Sequence, residues 1–265
     1  MYAFNYHRPK NLADAVKKFG SADEGKYLAG GHTLIPTLKQ RLAKPSDLID
    51  ISGLKELQGI SAKKGSVTIG AAVKHDAVAT SSDVKKAIPA LAHLASHIGD
   101  PQVRNRGTIG GSLANSDPAA DYPAAVLALG ATIFTNKREI EADKFFKGLF
   151  ETALKDGELI TKVEFPVPEK AAYMKFPNPA SRYAMVGVFV AKTKSGVRVA
   201  VTGAGPCAFR VPEMEKALAS NFSPDAVANI KIKQDGLNSD IHASAEYRAH
   251  LVTVMAKRAV AAAAG

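Results

Sequence analysis

The sequence predicts an α+β protein: two successive stretches in which helices and strands alternate, then a β-hairpin backed by helices. Three observations carry this. Apolar residues recur at helical spacing in several windows, as at Leu34, Leu38 and Leu42. Other windows, such as 66–73 and 186–193, alternate or run apolar over the length of a strand. Two glycine pairs, Gly30-Gly31 and Gly110-Gly111, punctuate the first half of the chain.

Taken in order, residues 12–19 read as a helix and 26–29 as a short strand running into the first Gly-Gly turn. A second helix spans 33–42, with Leu34, Leu38 and Leu42 on one face. A short strand follows at 47–51 and an alternating one at 66–73. Residues 84–98 form one helix, with Ile88, Leu91, Leu94, Ala95 and Ile98 on its apolar face. A loop over 99–107 leads to the second Gly-Gly turn. A helix runs from Asp121 to Leu129, and Gly130 ends it as a C′ glycine does. Strands at 131–135 and 159–165 complete this region. The proline- and charge-rich stretch 166–170 is the best domain boundary, separating 1–165 (subdomains of about 1–55 and 56–165) from 166–265. Beyond it, 186–193 and 197–203 form a hairpin turning at Ser195-Gly196, and 213–219 and 244–264 are helices.

At 265 residues and 46% hydrophobic, the chain can bury a core of one or two domains. No stretch nears the roughly 20 consecutive apolar residues of a membrane span. The N-terminus lacks the charged-then-apolar order of a secretory signal. Cys207 is the single cysteine, which excludes an internal disulfide framework and a cysteine-ligated iron–sulfur cluster in this chain. A cytoplasmic location is expected. The net charge of +10 raises nucleic acid or an acidic membrane as partner, but its distribution argues against both. Residues 1–55 carry nine Lys/Arg against five Asp/Glu, 56–165 thirteen against thirteen, and 166–265 thirteen against seven. The surplus is spread over both ends with no basic run interleaved with aromatics, so it reads as a solvated surface or one facing an acidic protein.

The chemistry gathers at the glycine pairs. Ala29-Gly30-Gly31-His32-Thr33-Leu34 lies between a strand and a helix, where glycine lets backbone N–H groups approach an anion at a helix N-terminus. Thr108-Ile109-Gly110-Gly111-Ser112 has hydroxyls on both flanks. One such turn is explained by sterics alone; two make a diphosphate cradle plausible, for a dinucleotide or a phosphate. The chain has neither G-x-G-x-x-G nor G-x-x-x-x-G-K-[ST], so it is neither a Rossmann nor a P-loop site. Asp121 suits a helix N-cap or a carboxylate accepting from ribityl or ribose hydroxyls, and one residue can do both. His93 and His97 have the i, i+4 spacing of metal ligands, yet no glutamate follows His93 and no third ligand is evident, so no metal is expected. No G-x-S-x-G elbow or Ser/His/Asp order supports nucleophilic catalysis. Cys207, after Gly205-Pro206, reads as a small buried residue.

These motifs resemble the medium, FAD-binding subunits of molybdenum hydroxylases, in particular those of the aerobic carbon monoxide dehydrogenase type. The resemblance covers essentially the whole chain. It starts at Tyr6-His7-Arg8-Pro9-Lys10 and includes Leu28 through Pro36, Pro101 through Gly111, and Asn115-Ser116-Asp117-Pro118. It resumes at Gly157-Glu158-Leu159-Ile160 and Tyr173-Met174-Lys175, and ends with Glu246-Tyr247-Arg248 and Arg258-Ala259.

The resemblance implies a two-part FAD-binding region of the vanillyl-alcohol-oxidase type and a small C-terminal domain with an antiparallel sheet and helices. Ala29, Gly30, Gly31, His32, Thr33 and Leu34, with Thr108, Gly110, Gly111 and Ser112, would hold the FAD diphosphate and ribityl chain. Asn115 and Asp121 would bind flavin-side hydroxyls. Ile98 and Ile160 fall where an apolar residue packs near the isoalloxazine ring, Lys175 matches a lysine near that ring, and Tyr183 a tyrosine beside it. The implied partners are a small subunit with two [2Fe–2S] clusters and a large subunit with the molybdopterin cofactor, in a dimer of heterotrimers. Electrons would leave through FAD to quinone, NAD or oxygen, and the complex could sit peripherally at the inner membrane face. Ser112 stands where the carbon monoxide type usually has Asn, and Arg182 where it has Asp, so the substrate is the least determined part. A related aldehyde or N-heterocycle dehydrogenase is the alternative. Two rivals are a stand-alone flavin oxidase or reductase, for which no acid/base cluster is visible, and a nucleotide- or RNA-binding module.

Overall fold

The computed structural model describes residues 1–63 and 65–265 and arranges them around three main sheets and a two-stranded ribbon. The first sheet is parallel. Strands β1 (Asn5–His7), β2 (Gly25–Leu28) and β3 (Asp47–Asp50) pair in the order β1-β3-β2. Helix α1 (Leu12–Gly20) connects β1 to β2 and α2 (Leu34–Lys39) connects β2 to β3. The Asn11 side chain starts α1 by accepting the Asp14 N–H at 2.8 Å. The second helix ends three residues before 42, and Leu42 is 73% exposed, so the predicted apolar face carries only its first two leucines.

The second region begins with β4 (Ile60–Lys63) and β5 (Ser66–Gly70). The expected strand over 66–73 stops at Gly70, whose backbone lies against Leu57: a Cβ there would sit 2.4 Å from the Leu57 carbonyl oxygen. Helices α3 (His75–Thr80), α4 (Ser82–Ala87) and α5 (Pro89–Ser96) follow. The single helix predicted over 84–98 is therefore two. Pro89 clashes with an α conformation at the residue before it, and Ile88 adopts φ −140° and ψ 73°. The segment expected as a loop over 99–107 contains a short helix, α6 (Pro101–Arg104), capped by the Asp100 carboxylate on the Val103 N–H. Helices α7 (Ile109–Asn115) and α8 (Tyr122–Leu129) lead into β6 (Thr132–Thr135) and β7 (Glu139–Glu141). The ribbon β8 (Phe146–Gly148) and β9 (Glu151–Thr152) precedes β10 (Ile160–Pro166). The main sheet here is antiparallel, in the order β4-β5-β10-β6-β7.

The third sheet is antiparallel, β11 (Lys170–Pro177), β12 (Ala184–Thr193), β13 (Gly196–Thr202) and β14 (Phe209–Arg210), in chain order. Helices α9 (Pro212–Ser220), α10 (Pro224–Ala228) and the 20-residue α11 (Ala245–Ala264) close the fold. The predicted hairpin is present, and β11, for which the sequence shows no strand signal, pairs with β12. Both faces of this sheet are covered. Val186, Val188, Val190, Val199 and Val201 pack with α9 and α11, while Tyr173, Phe189, Ala191 and Ala200 join the core shared with α8. That explains the nearly continuous apolar run of β12, since a strand buried on both sides has no polar face. All eight residues of α8 are buried for the same reason, being enclosed between sheets.

Candidate functional site

Where the loops after β2, around α6 and after α7 meet, they enclose a cleft of about 580 Å³, closed on one side by Ser181, Arg182 and Tyr183 of the β11–β12 loop. This lies within the range of small-ligand sites, roughly 300–1,000 Å³. Ala29, Gly30, Gly31, His32, Thr33, Leu34, Ile98, Thr108, Gly111, Ser112, Asn115, Asp121 and Tyr183 all line it. Three expected site residues do not. Gly110 packs beneath its helix, Ile160 is in the core, and Lys175 points its ammonium at Asp121. Tyr27, His75, Gly99, Val103, Gly107 and Asp117 also form the wall, although the sequence reading assigned them no role there.

The first glycine pair forms the side of the cleft that carries free amides. Gly31 has φ +76°, a left-handed conformation that turns the chain sharply before α2. Gly30 lets two loops touch: a Cβ on it would lie 2.3 Å from the Arg106 carbonyl oxygen. Consequently the amides of Gly30, Gly31, His32, Thr33 and Leu34 donate to no acceptor among the described residues, and Thr33 gives no side-chain cap to α2. A run of free N–H groups around one bend is an anion-binding nest.

The second pair works differently. It is not a tight turn but the opening of α7, and neither glycine has positive φ. Its amides are already engaged. Ile109 and Gly110 donate to the Val73 and Ala71 carbonyls at 3.1 and 2.8 Å, Gly111 to Thr108 Oγ1 at 3.2 Å, and Ser112 to the Thr108 carbonyl at 3.0 Å. Gly110 is required by packing, since a Cβ would lie 2.6 Å from that of Ala71. At Gly111 a Cβ would touch Thr108 Oγ1 at 2.9 Å and otherwise come no closer than 3.9 Å, to Ala29 Cβ. The contribution of Gly111 is thus a stretch of wall without a side chain, and the pair adds no second set of backbone donors.

Asp121 stands at the N-terminus of α8, but its side chain makes no cap bond. It is 4% exposed and accepts from Tyr173 Oη at 2.5 Å and from Lys175 Nζ at 2.9 Å. Burial pushes the Asp121 carboxyl up from the usual carboxylate range, opposed by the Lys175 ammonium and the Tyr173 hydroxyl. Lys175 also donates to the His97 carbonyl at the end of α5. One buried ion pair therefore ties β11 to two helices beside the cleft. Gly157 and Glu158 support the opposite wall. Arg138 grips Glu158 at 2.9 and 3.0 Å and holds its carboxyl down at about 2. This braces the turn whose Gly157 packs on Phe19, which stacks on Tyr27.

His93 and His97 pack ring to ring at 4.2 Å, with His97 Nδ1 2.9 Å from the His93 carbonyl oxygen. Among the described residues no three His, Cys, Asp or Glu side chains gather as metal ligands do. Cys207 is half-buried, and burial raises its thiol.

Five free amides on one side of the cleft, with Tyr27, Ile98 and Val103 on its walls, suit a dinucleotide: a diphosphate at the amides and an aromatic ring on the apolar surface. Residues 2–168 match the family described as FAD binding domain in molybdopterin dehydrogenase, and 171–263 the CO dehydrogenase flavoprotein C-terminal domain. The glyceraldehyde dehydrogenase medium chain of Sulfolobus acidocaldarius is 36% identical, over 97% of this chain and 96% of its own length. The nicotine 6-hydroxylase medium subunit of Paenarthrobacter nicotinovorans is also 36% identical, with the same two coverages. The solved carbon monoxide dehydrogenase of Hydrogenophaga pseudoflava, in a form lacking the Mo-pyranopterin moiety of its cofactor, superposes with a TM-score of 0.89. Its identity is 36%, and the match covers 98% of this chain and 96% of that one. The chain belongs to the family of FAD-binding medium subunits of molybdenum hydroxylases. Its cofactor is FAD, and it is the flavoprotein subunit of a multi-subunit molybdenum-containing dehydrogenase.

Proposed function

We propose that this subunit takes electrons from the [2Fe–2S] clusters of a small partner and passes them through FAD to an external acceptor, while a large partner carrying the molybdopterin cofactor oxidises the substrate. The observation that carries the cofactor's place is the run of free amides from Gly30 to Leu34. Bound FAD would supply the redox chemistry; the chain binds, orients and tunes it. In this reading the amides receive the diphosphate, Gly111 leaves room beside it, and Ile98 and Tyr183 flank the ring system. Asn115 and Asp121 face the flavin-side hydroxyls. The domain division follows the same logic, 1–165 holding FAD and 166–265 forming the C-terminal domain, within a dimer of heterotrimers.

The carbon monoxide type is our reading of the particular complex, supported by the sequence motifs and the match to a carbon monoxide dehydrogenase. Relatives named for glyceraldehyde and nicotine match at the same identity, so the substrate class is decided on the large partner. Acid precipitation of FAD-supplied protein tests the cofactor: FAD should appear in the supernatant, one per chain. Release of FMN, or of no flavin, overturns the proposal. Copurification of the tagged chain with an iron–sulfur and a molybdopterin subunit tests the assembly.

A further inference from the structure

His75 opens α3 and is one of the most buried polar side chains of the molecule, at 5% exposure. Its Nδ1 is sealed from solvent and has no hydrogen-bond partner among the described residues. The ring lies beside Tyr122, centroids 5.3 Å apart, and the Tyr122 hydroxyl is equally unpartnered, so the two do not satisfy each other. The other ring nitrogen faces elsewhere. Nε2 lies against Gly107, close enough that a Cβ there would be 2.5 Å away, and both His75 and Gly107 line the cleft. Nε2 likewise makes no hydrogen bond among the described residues, yet unlike Nδ1 it is not sealed.

Burial holds the ring neutral, with the His32 and Arg104 charges adding to the effect, and the imidazole titrates only at about 4. A neutral imidazole carries one N–H. An orphaned buried donor is rarer in proteins than an under-satisfied acceptor, which favours the tautomer with a bare Nδ1 and the proton on Nε2. That N–H meets the cleft where Gly30 and the Arg106–Gly107 backbone are in contact, next to the free amides. On this side the backbone amides opening α7 are already used, so the α7 opening adds no backbone donor.

We infer that His75 is a cofactor ligand, its Nε2–H donating to an oxygen of the FAD diphosphate from the α3 side of the cleft, beside the Gly30–Leu34 amides. The inference rests on the proposed place of FAD in this cleft. Gly107 is then glycine because a side chain would cover the one donor that the α3 side presents.

The full chain is purified as apoprotein and titrated with FAD by flavin fluorescence, alongside apo melting curves and the ³¹P spectrum of bound FAD. His75→Leu should weaken FAD by about tenfold or more, the loss expected for a hydrogen bond to a charged group, with a shifted diphosphate resonance. His75→Gln, whose amide nitrogen reaches the position of Nε2, should restore most of the affinity and the resonance. If His75→Leu does not fold, His75→Asn, polar but too short, takes its place with the same expectation. Wild-type affinity in His75→Leu, or equal weakening in Leu and Gln with an unmoved ³¹P signal, overturns the assignment while leaving FAD in the cleft. A wild-type apoprotein that takes up no FAD overturns both.

Discussion

Lys175 Nζ lies 2.9 Å from Asp121 Oδ1, with both side chains at most 5% exposed, so the charge expected to face a flavin is neutralised inside the protein. Removing one partner strands the other in a low-dielectric interior. Lys175→Met should therefore cost about 3–5 kcal/mol of unfolding free energy, measured by urea denaturation of the apoprotein. Asp121→Asn/Lys175→Met should cost less than the sum of the single changes. A lysine acting on the flavin instead would give Lys175→Met a lowered flavin reduction potential and near-normal stability.

The two adjacent glycines of the second motif should fail in different ways. Gly110→Ala drives a methyl into Ala71 and should destabilise the apoprotein by about 1–3 kcal/mol. Gly111→Val meets only the Thr108 hydroxyl at close range and otherwise projects toward Ala29 and the cleft, so its apo stability should fall by about 1 kcal/mol, less than for Gly110→Ala, while FAD retention is lost. Apo melting curves followed by FAD titration separate these outcomes. Normal FAD binding by Gly111→Val would remove this wall from the site.

Acid should weaken the apoprotein partly through His75. Its folded-state titration is depressed from 6.5 to about 4, so the unfolded chain binds the extra proton between those values. The neutral ring's contribution is complete above pH 6.5 and is lost as pH falls toward 4, amounting to about 3 kcal/mol. His93, also depressed by burial and by His97, acts in the same direction. The difference between wild type and His75→Gln across pH 7 to 4 isolates the His75 share; parallel curves would mean that His75 titrates normally.

Substrate oxidation belongs to the complex. The isolated chain should show at most weak NADH or dye reductase activity and no turnover of an organic substrate. A stand-alone rate near that of a typical enzyme, about 10 per second, would favour the oxidase reading.

The parts legible in the sequence were the local ones. Helical spacing marked α1 and α11, alternation marked β5, and a long apolar run with a Ser195-Gly196 turn marked the β12–β13 hairpin. The glycine pairs located the cleft because a bend and a close approach admit few other residues. The break at Ile88 was also local and was signalled by Pro89, but the apolar periodicity runs through it and hides it.

What the tertiary structure decided are the pairings and exposures that no single window contains. Asp121 suits a cap or a hydroxyl acceptor by sequence; in the fold it makes no cap bond and pairs with a lysine 54 residues away on β11. That strand itself has little alternation, because both of its faces are covered. The two Gly-Gly motifs look alike in sequence yet differ in hydrogen bonding, since only the fold determines that Ala71, Val73 and Thr108 engage the amides of one while no acceptor among the described residues engages those of the other. His75 carries no signal at all: a lone histidine acquires its orphaned ring nitrogens only once Gly107 and Tyr122 are packed against it. Periodicity and turn chemistry are properties of neighbouring residues, whereas burial, desolvation and hydrogen-bond satisfaction depend on what the rest of the chain brings alongside.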